Sequence, residues 1–176
     1  MFQDALQRAT VQTGESLDAL SRETPILVVF LRHCGCPFTR EAVADLRAQQ
    51  EQIRQTGARL VLVHMSEETK AGPLFQQGGL GEVLRISDPT QDLYRAFELK
   101  RGSYWQVAGP RVWWRGLKAV LSGHGFGAPD ADVAQLPGAF LIHEGKILKA
   151  FRANSSSDRP IYGELAQCPL TRDDSQ

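Results

Sequence analysis

Residues Pro25 to Arg32 form the run Pro-Ile-Leu-Val-Val-Phe-Leu-Arg, apolar and β-branched with no polar alternation. An unbroken run of this kind is the signature of a strand covered on both faces, and it demands a layered structure. The next residues sharpen that constraint. His33-Cys34-Gly35-Cys36 makes a turn, and Pro37 then stands where a helix prefers its first residue. The helix is predicted from Pro37 to Thr56, with Val43, Leu46 and Ile53 at helical spacing and Gly57 as its stop signal. Cys36 is thereby predicted to be the N-cap of a long helix that leaves a buried strand.

The remaining segments extend the pattern. Phe2, Ala5, Leu6 and Val11, then Leu17 and Leu20, suit a helical N-terminal arm over residues 1–22. Arg59 to Met65 reads as a second buried strand. Ser66 is the expected N-cap of the short helix after it, with Glu67 and Glu68 in its first turn. Val83 to Ser87 is predicted as a strand and Gln91 to Leu99 as a helix. Ala139 to His143 and Lys146 to Arg152 are strands joined by a tight turn at Glu144-Gly145. A last helix is expected from Asp158 to Gln167, and a frayed tail over 171–176. Strands alternating with helices imply an α/β class with right-handed crossovers, and no linker or repeat divides the 176 residues, so a single domain is expected. Residues 100–130 are a Trp/Gly-rich insertion, with a helix expected near Val112 to Leu121.

Composition closes off several function classes. Twenty basic and 20 acidic residues balance, which argues against bulk nucleic acid or an anionic membrane as partner. Three cysteines are too few for a disulfide framework. No apolar run is long enough for a signal peptide or a membrane helix, so a cytoplasmic location with reduced thiols is expected. Gly123, Gly125 and Gly127 lack the strand and helix of a dinucleotide fingerprint, and the histidines are too scattered for zinc. No cofactor and no metal is expected.

The chemistry concentrates at Cys36. A sulfur at a helix N-terminus sits where free N–H groups and the positive end of the dipole favour a thiolate, which can lower a cysteine pKa from ~8.5 by one to several units. Thr39 can add a hydroxyl donor, and Arg32, Arg40 and protonated His33 add positive charge. Such a thiolate is the nucleophile of disulfide exchange and of attack on peroxides.

Cys36-Pro37-Phe38-Thr39 resembles the C-x-x-C site of thioredoxin-fold proteins, with threonine in the second cysteine's place. The run Phe30 to Glu41, then Ile86-Ser87-Asp88-Pro89, Leu93 to Phe97, Leu136 to Ile142 and Arg159-Pro160, is similar to the peroxiredoxin-like branch of the AhpC/TSA superfamily. The resemblance implies a thioredoxin-like fold, a central mixed sheet flanked by helices, with a peroxiredoxin-type insertion. It implies a thiol-dependent antioxidant oxidoreductase with Cys36 as nucleophile and Cys34 and Thr39 beside it. His33, Pro37, Leu136 and Pro137 would shape the substrate groove, with Pro137 in the place of the thioredoxin cis-proline.

The sequence departs from the family pattern at defined positions. Val29 and His33 replace the proline and threonine upstream of the peroxidatic cysteine, and Leu136-Pro137 stands where an arginine precedes the facing strand. Efficient peroxidase activity is therefore not expected. Cys34 can be a C-x-C partner of Cys36 or a bystander. Cys168-Pro169 matches a resolving motif but lies close behind the last helix, where a plain helix-end thiol also fits. A small thiol such as glutathione, or a dithiol protein, is the simpler reductant, and a peroxide or disulfide the substrate. The Trp-rich stretch suits a lid or homodimer contact. The alternative from another class is a non-catalytic thioredoxin-fold binding or assembly module with a vestigial site.

Overall fold

The computed structural model describes residues 2–103, 114, 117, 121 and 132–168. Its centre is a five-stranded sheet in the order β3-β2-β1-β4-β5. The strands are β1 (Ile26–Phe30), β2 (Arg59–His64), β3 (Leu84–Ser87), β4 (Gly138–His143) and β5 (Lys146–Arg152). β1 pairs in parallel with β2, and β2 with β3, while β4 runs antiparallel to both β1 and β5. The apolar run thus becomes the middle strand, and every residue of β1 is buried. Its side chains alternate between two cores, as period-2 geometry requires. Ile26, Val28 and Phe30 point to one face, and Leu27 and Val29 to the other.

The first face is covered by α1 (Phe2–Arg8), α2 (Leu17–Glu23) and α5 (Asp92–Ala96). The N-terminal arm is two short helices, because Ser16 starts the second one by accepting a bond from the Ala19 N–H. Phe30, Tyr94, Phe97 and Phe140 interlock here, with ring centroids of Phe30 and Tyr94 5.0 Å apart. The second face is covered by α3 (Pro37–Gln55) and α6 (Tyr162–Leu165) through Val43, Leu46, Ile53 and Tyr162. The long helix has the predicted start and ends one residue early.

Three elements differ from expectation for local reasons. The helix α4 (Glu68–Gln77) is capped by the backbone of Glu67, and the Ser66 hydroxyl makes no cap bond. Ser66 is buried, and its carbonyl instead receives bonds from His64 and Ser87. The α5 helix is only five residues long, since Gln91 and Glu98 on either side are in the left-handed region. The last helix shrinks to four residues because Asp158 is occupied in a turn, accepting from the Asn154 and Ser155 N–H groups. The Glu144-Gly145 hairpin forms as predicted, with positive φ at both positions. In the Trp/Gly-rich insertion, Trp114, Leu117 and Leu121 are helical, while the rest of the Val112 to Leu121 helix and the 171–176 tail lie outside the described residues. Among the described residues, no helix is long and apolar enough to cross a membrane.

Candidate active site

The site forms where β1 hands the chain to α3. Leu31 continues the strand by bonding to the Val63 carbonyl, and the His33 carbonyl then accepts the Cys36 N–H at 3.1 Å to close the turn. Cys36 is the N-cap of α3 with Pro37 in its first turn, so both sequence signals are realised. Its side chain is 2% exposed and packs on Phe38. None of the three cysteines is joined in a disulfide; Cys34 and Cys168 are half-buried and pack against the core on the α3 side.

The hydrogen bonds to the cap differ from the prediction. The Thr39 hydroxyl donates to the His33 carbonyl at 3.0 Å, not to the sulfur, because its single proton stitches the turn onto the helix. The Thr39 N–H donates to the Cys36 carbonyl, and the Cys36 side chain makes no cap bond. The donor that does reach the sulfur is Arg32, whose Nη1 lies 2.8 Å from Sγ. The same guanidinium donates through Nε to the Gln135 carbonyl at 3.1 Å and through Nη2 to the Val133 carbonyl. In the sequence Arg32 is only one of several charges near the cysteine. Nothing there marks the two carbonyls, which lie about a hundred residues further along the chain.

The other predicted residues surround this contact unequally. His33 and Leu136 are buried, and Pro37 lies under the helix start. The His33 carbonyl, not its ring, joins the turn and the Thr39 hydroxyl. Pro137 is half-buried and lines a narrow cleft together with Arg32, Phe38, Thr39, Arg159 and Tyr162. The bond before Pro137 is trans, since the described residues contain no cis peptide bond. The Pro137 carbonyl accepts the Ala153 N–H, and Gly138 already pairs with Phe30, so β4 is entered by ordinary ladder geometry. Among the described residues, no group of three His, Cys, Asp or Glu side chains could hold a metal ion.

Residues 45–155 match the family model of the AhpC/TSA antioxidant enzymes. The chain belongs to this family. It is 26% identical over 172 residues to the prostamide/prostaglandin F synthase of Danio rerio, covering 93% of this chain and 84% of that protein. In structure it is similar to the peroxiredoxin 6 of Arenicola marina, with a TM-score of 0.62 and 10% identity, over 90% of this chain and 66% of that one. The PrxQ of Xylella fastidiosa gives the same TM-score of 0.62 at 14% identity, over 92% of this chain and 86% of the other. These likenesses establish the thioredoxin-like peroxiredoxin fold. Membership makes this AhpC/TSA protein a thiol-dependent oxidoreductase of the kind that acts on peroxides with thiol reductants. Cys36 lies before the matched residues, so its nomination rests on the geometry of the strand end and helix cap.

Proposed function

We propose that Cys36 is the nucleophile of this oxidoreductase, acting on peroxides or small disulfides. The observation that supports it is a free thiol at the cap of a 19-residue helix with a guanidinium nitrogen 2.8 Å from its sulfur. A cation at that distance favours the anionic, nucleophilic form of sulfur. With a peroxide, the thiolate attacks the distal oxygen and the O–O bond breaks. Cys36 is oxidised to the sulfenic acid, and the leaving alkoxide or hydroxide takes a proton from solvent. An external thiol then attacks the sulfenic sulfur, releasing water and forming a mixed disulfide. A second thiol reduces that disulfide and restores Cys36.

In this reading the reductant is a small thiol such as glutathione or a dithiol protein. Thr39 and the His33 backbone hold the turn, Pro37 starts the helix beneath it, and Pro137 borders the cleft through which substrate arrives, with the buried Leu136 before it. Cys34, in the same turn, is the internal candidate to resolve the oxidised sulfur. We further take the chain as a cytoplasmic single-domain protein able to form a homodimer. The test is alkylation of each cysteine at neutral pH, followed by peptide mass mapping, with Cys36→Ser as control. Cys36 should react faster than a free cysteine, and Cys36→Ser should lose peroxide and disulfide reduction. A Cys36 no more reactive than free cysteine would overturn the proposal and leave a binding module.

A further inference from the structure

We propose that Arg32 is the positioning residue of this site: its buried guanidinium is the fixed counter-charge of the Cys36 thiolate. The proposal rests on Cys36 being the nucleophile and says what makes it one.

A guanidinium keeps its charge at every accessible pH, and burying it is unfavourable unless a counter-charge accompanies it. Arg32 is 4% exposed. Yet none of the ion pairs among the described residues includes it. The acid nearest its anchors in sequence, Asp132, is taken by Arg101 at 3.0 Å. Among the described residues, the three groups that Arg32 does bond are the Val133 carbonyl, the Gln135 carbonyl and the Cys36 sulfur. Carbonyls contribute dipoles but no charge. Of the three partners, only the sulfur can become an anion.

The geometry is suited to the task. Two nitrogens of a rigid planar fork are fixed on backbone carbonyls, which leaves the third aimed at Sγ with little freedom to turn away. A donor held in place before reaction needs no reorganisation when charge develops on its partner. The helix N-terminus does not duplicate this role by direct bonding, because the Thr39 N–H is directed to the Cys36 carbonyl.

The experiment compares Arg32→Met, which keeps length and removes charge, with Arg32→Lys, which keeps charge and removes the fork. The readout is the pH profile of Cys36 alkylation, with circular dichroism to confirm folding. Arg32→Met should slow alkylation at neutral pH by about tenfold or more, the effect of one hydrogen bond to a charged group, and should move the profile to higher pH. Arg32→Lys should restore part of the rate. A folded Arg32→Met with the wild-type profile overturns the proposal while leaving Cys36 as the nucleophile. A wild-type Cys36 that is no more reactive than free cysteine overturns the proposal of function itself. Should Arg32→Met fail to fold, the wild-type profile at low and molar salt decides. A buried pair is screened little, so the profile should stay in place. A profile that climbs with salt would assign the effect to exposed charges and overturn the role of Arg32.

Discussion

Two arginines line the cleft bordered by Phe38, Thr39 and Pro137, and they are buried on opposite terms. Arg159, 22% exposed, bonds to Glu41 through Nη1 and to Asp45 through Nε at 2.8 Å. Burial works against its charge, but the bond to Glu41 and the fields of Glu41 and Asp45 outweigh it, so the guanidinium is held protonated beyond the ordinary arginine range. The pair ties the loop before α6 onto the exposed side of α3. Arg32 is more deeply buried, has no carboxylate partner among the described residues, and contacts a sulfur. A cation with two carboxylates already satisfied has little left to offer a reaction. A cation matched only by carbonyls and a thiol keeps its charge available for the sulfur. The difference separates an arginine that ties two elements together from one whose charge faces the sulfur.

Arg159→Met is the most direct attempt to break that distinction. It should destabilise the protein by about 2 kcal/mol, the effect of leaving partly buried carboxylates without their partner. Cys36 alkylation should stay within about twofold of wild type, since no bond to the sulfur is lost. Urea unfolding and alkylation on the same samples provide the check. If Arg159→Met slows alkylation as much as Arg32→Met, the two arginines act as one field and the contrast collapses.

A smaller effect should come from Tyr94. Its hydroxyl, shared between the Leu31 carbonyl at 2.6 Å and the Val63 carbonyl, pins the strand end from which Arg32 projects. Burial keeps this phenol protonated far above the ordinary tyrosine range, so it remains a donor. Tyr94→Phe should lose about 1 kcal/mol of stability in urea unfolding, the net contribution of one such bond. Alkylation should slow less than in Arg32→Met. An equal slowing would mean that the strand end, and not the guanidinium charge, sets reactivity.

The smallest effect is confined to acid pH and involves a third basic group, which meets burial by giving up its proton. His64 is fully buried, with Nδ1 2.9 Å from the Ser66 carbonyl. Desolvation lowers its pKa from the ordinary 6.5, opposed only in part by Glu68. The unfolded chain therefore takes up the proton first as pH falls. The stability contributed by the neutral ring is complete above pH 6.5 and is lost as pH drops from there through the folded-state value. Urea midpoints compared near neutrality and at about pH 5 should converge in His64→Gln relative to wild type. An unchanged difference would assign the acid sensitivity to other groups.

Much of the scaffold was legible because it is locally encoded. The apolar run could only be a doubly covered strand, and it became the central one. Pro37 after Cys36 marked the helix start, and that boundary needs nothing beyond the fixed φ of proline and the orphan N–H groups of a first turn. Ser66 misled because a serine before two glutamates looks like a cap, whereas burial turned its backbone toward His64 and Ser87. Thr39 misled in the same way: its hydroxyl donates to the His33 carbonyl at 3.0 Å and not to the sulfur it was expected to serve.

The sequence by itself determined the strand, the helix and the cysteine between them, since each depends on residues within a few positions of one another. Tertiary structure alone decided that Arg32 is the group that meets that cysteine. Its aim is fixed by carbonyls at Val133 and Gln135, which come alongside because β4 pairs with β1 in the antiparallel direction. Backbone carbonyls carry no signature in the residue type. Their pairing across about a hundred residues exists only once the sheet has closed over the site.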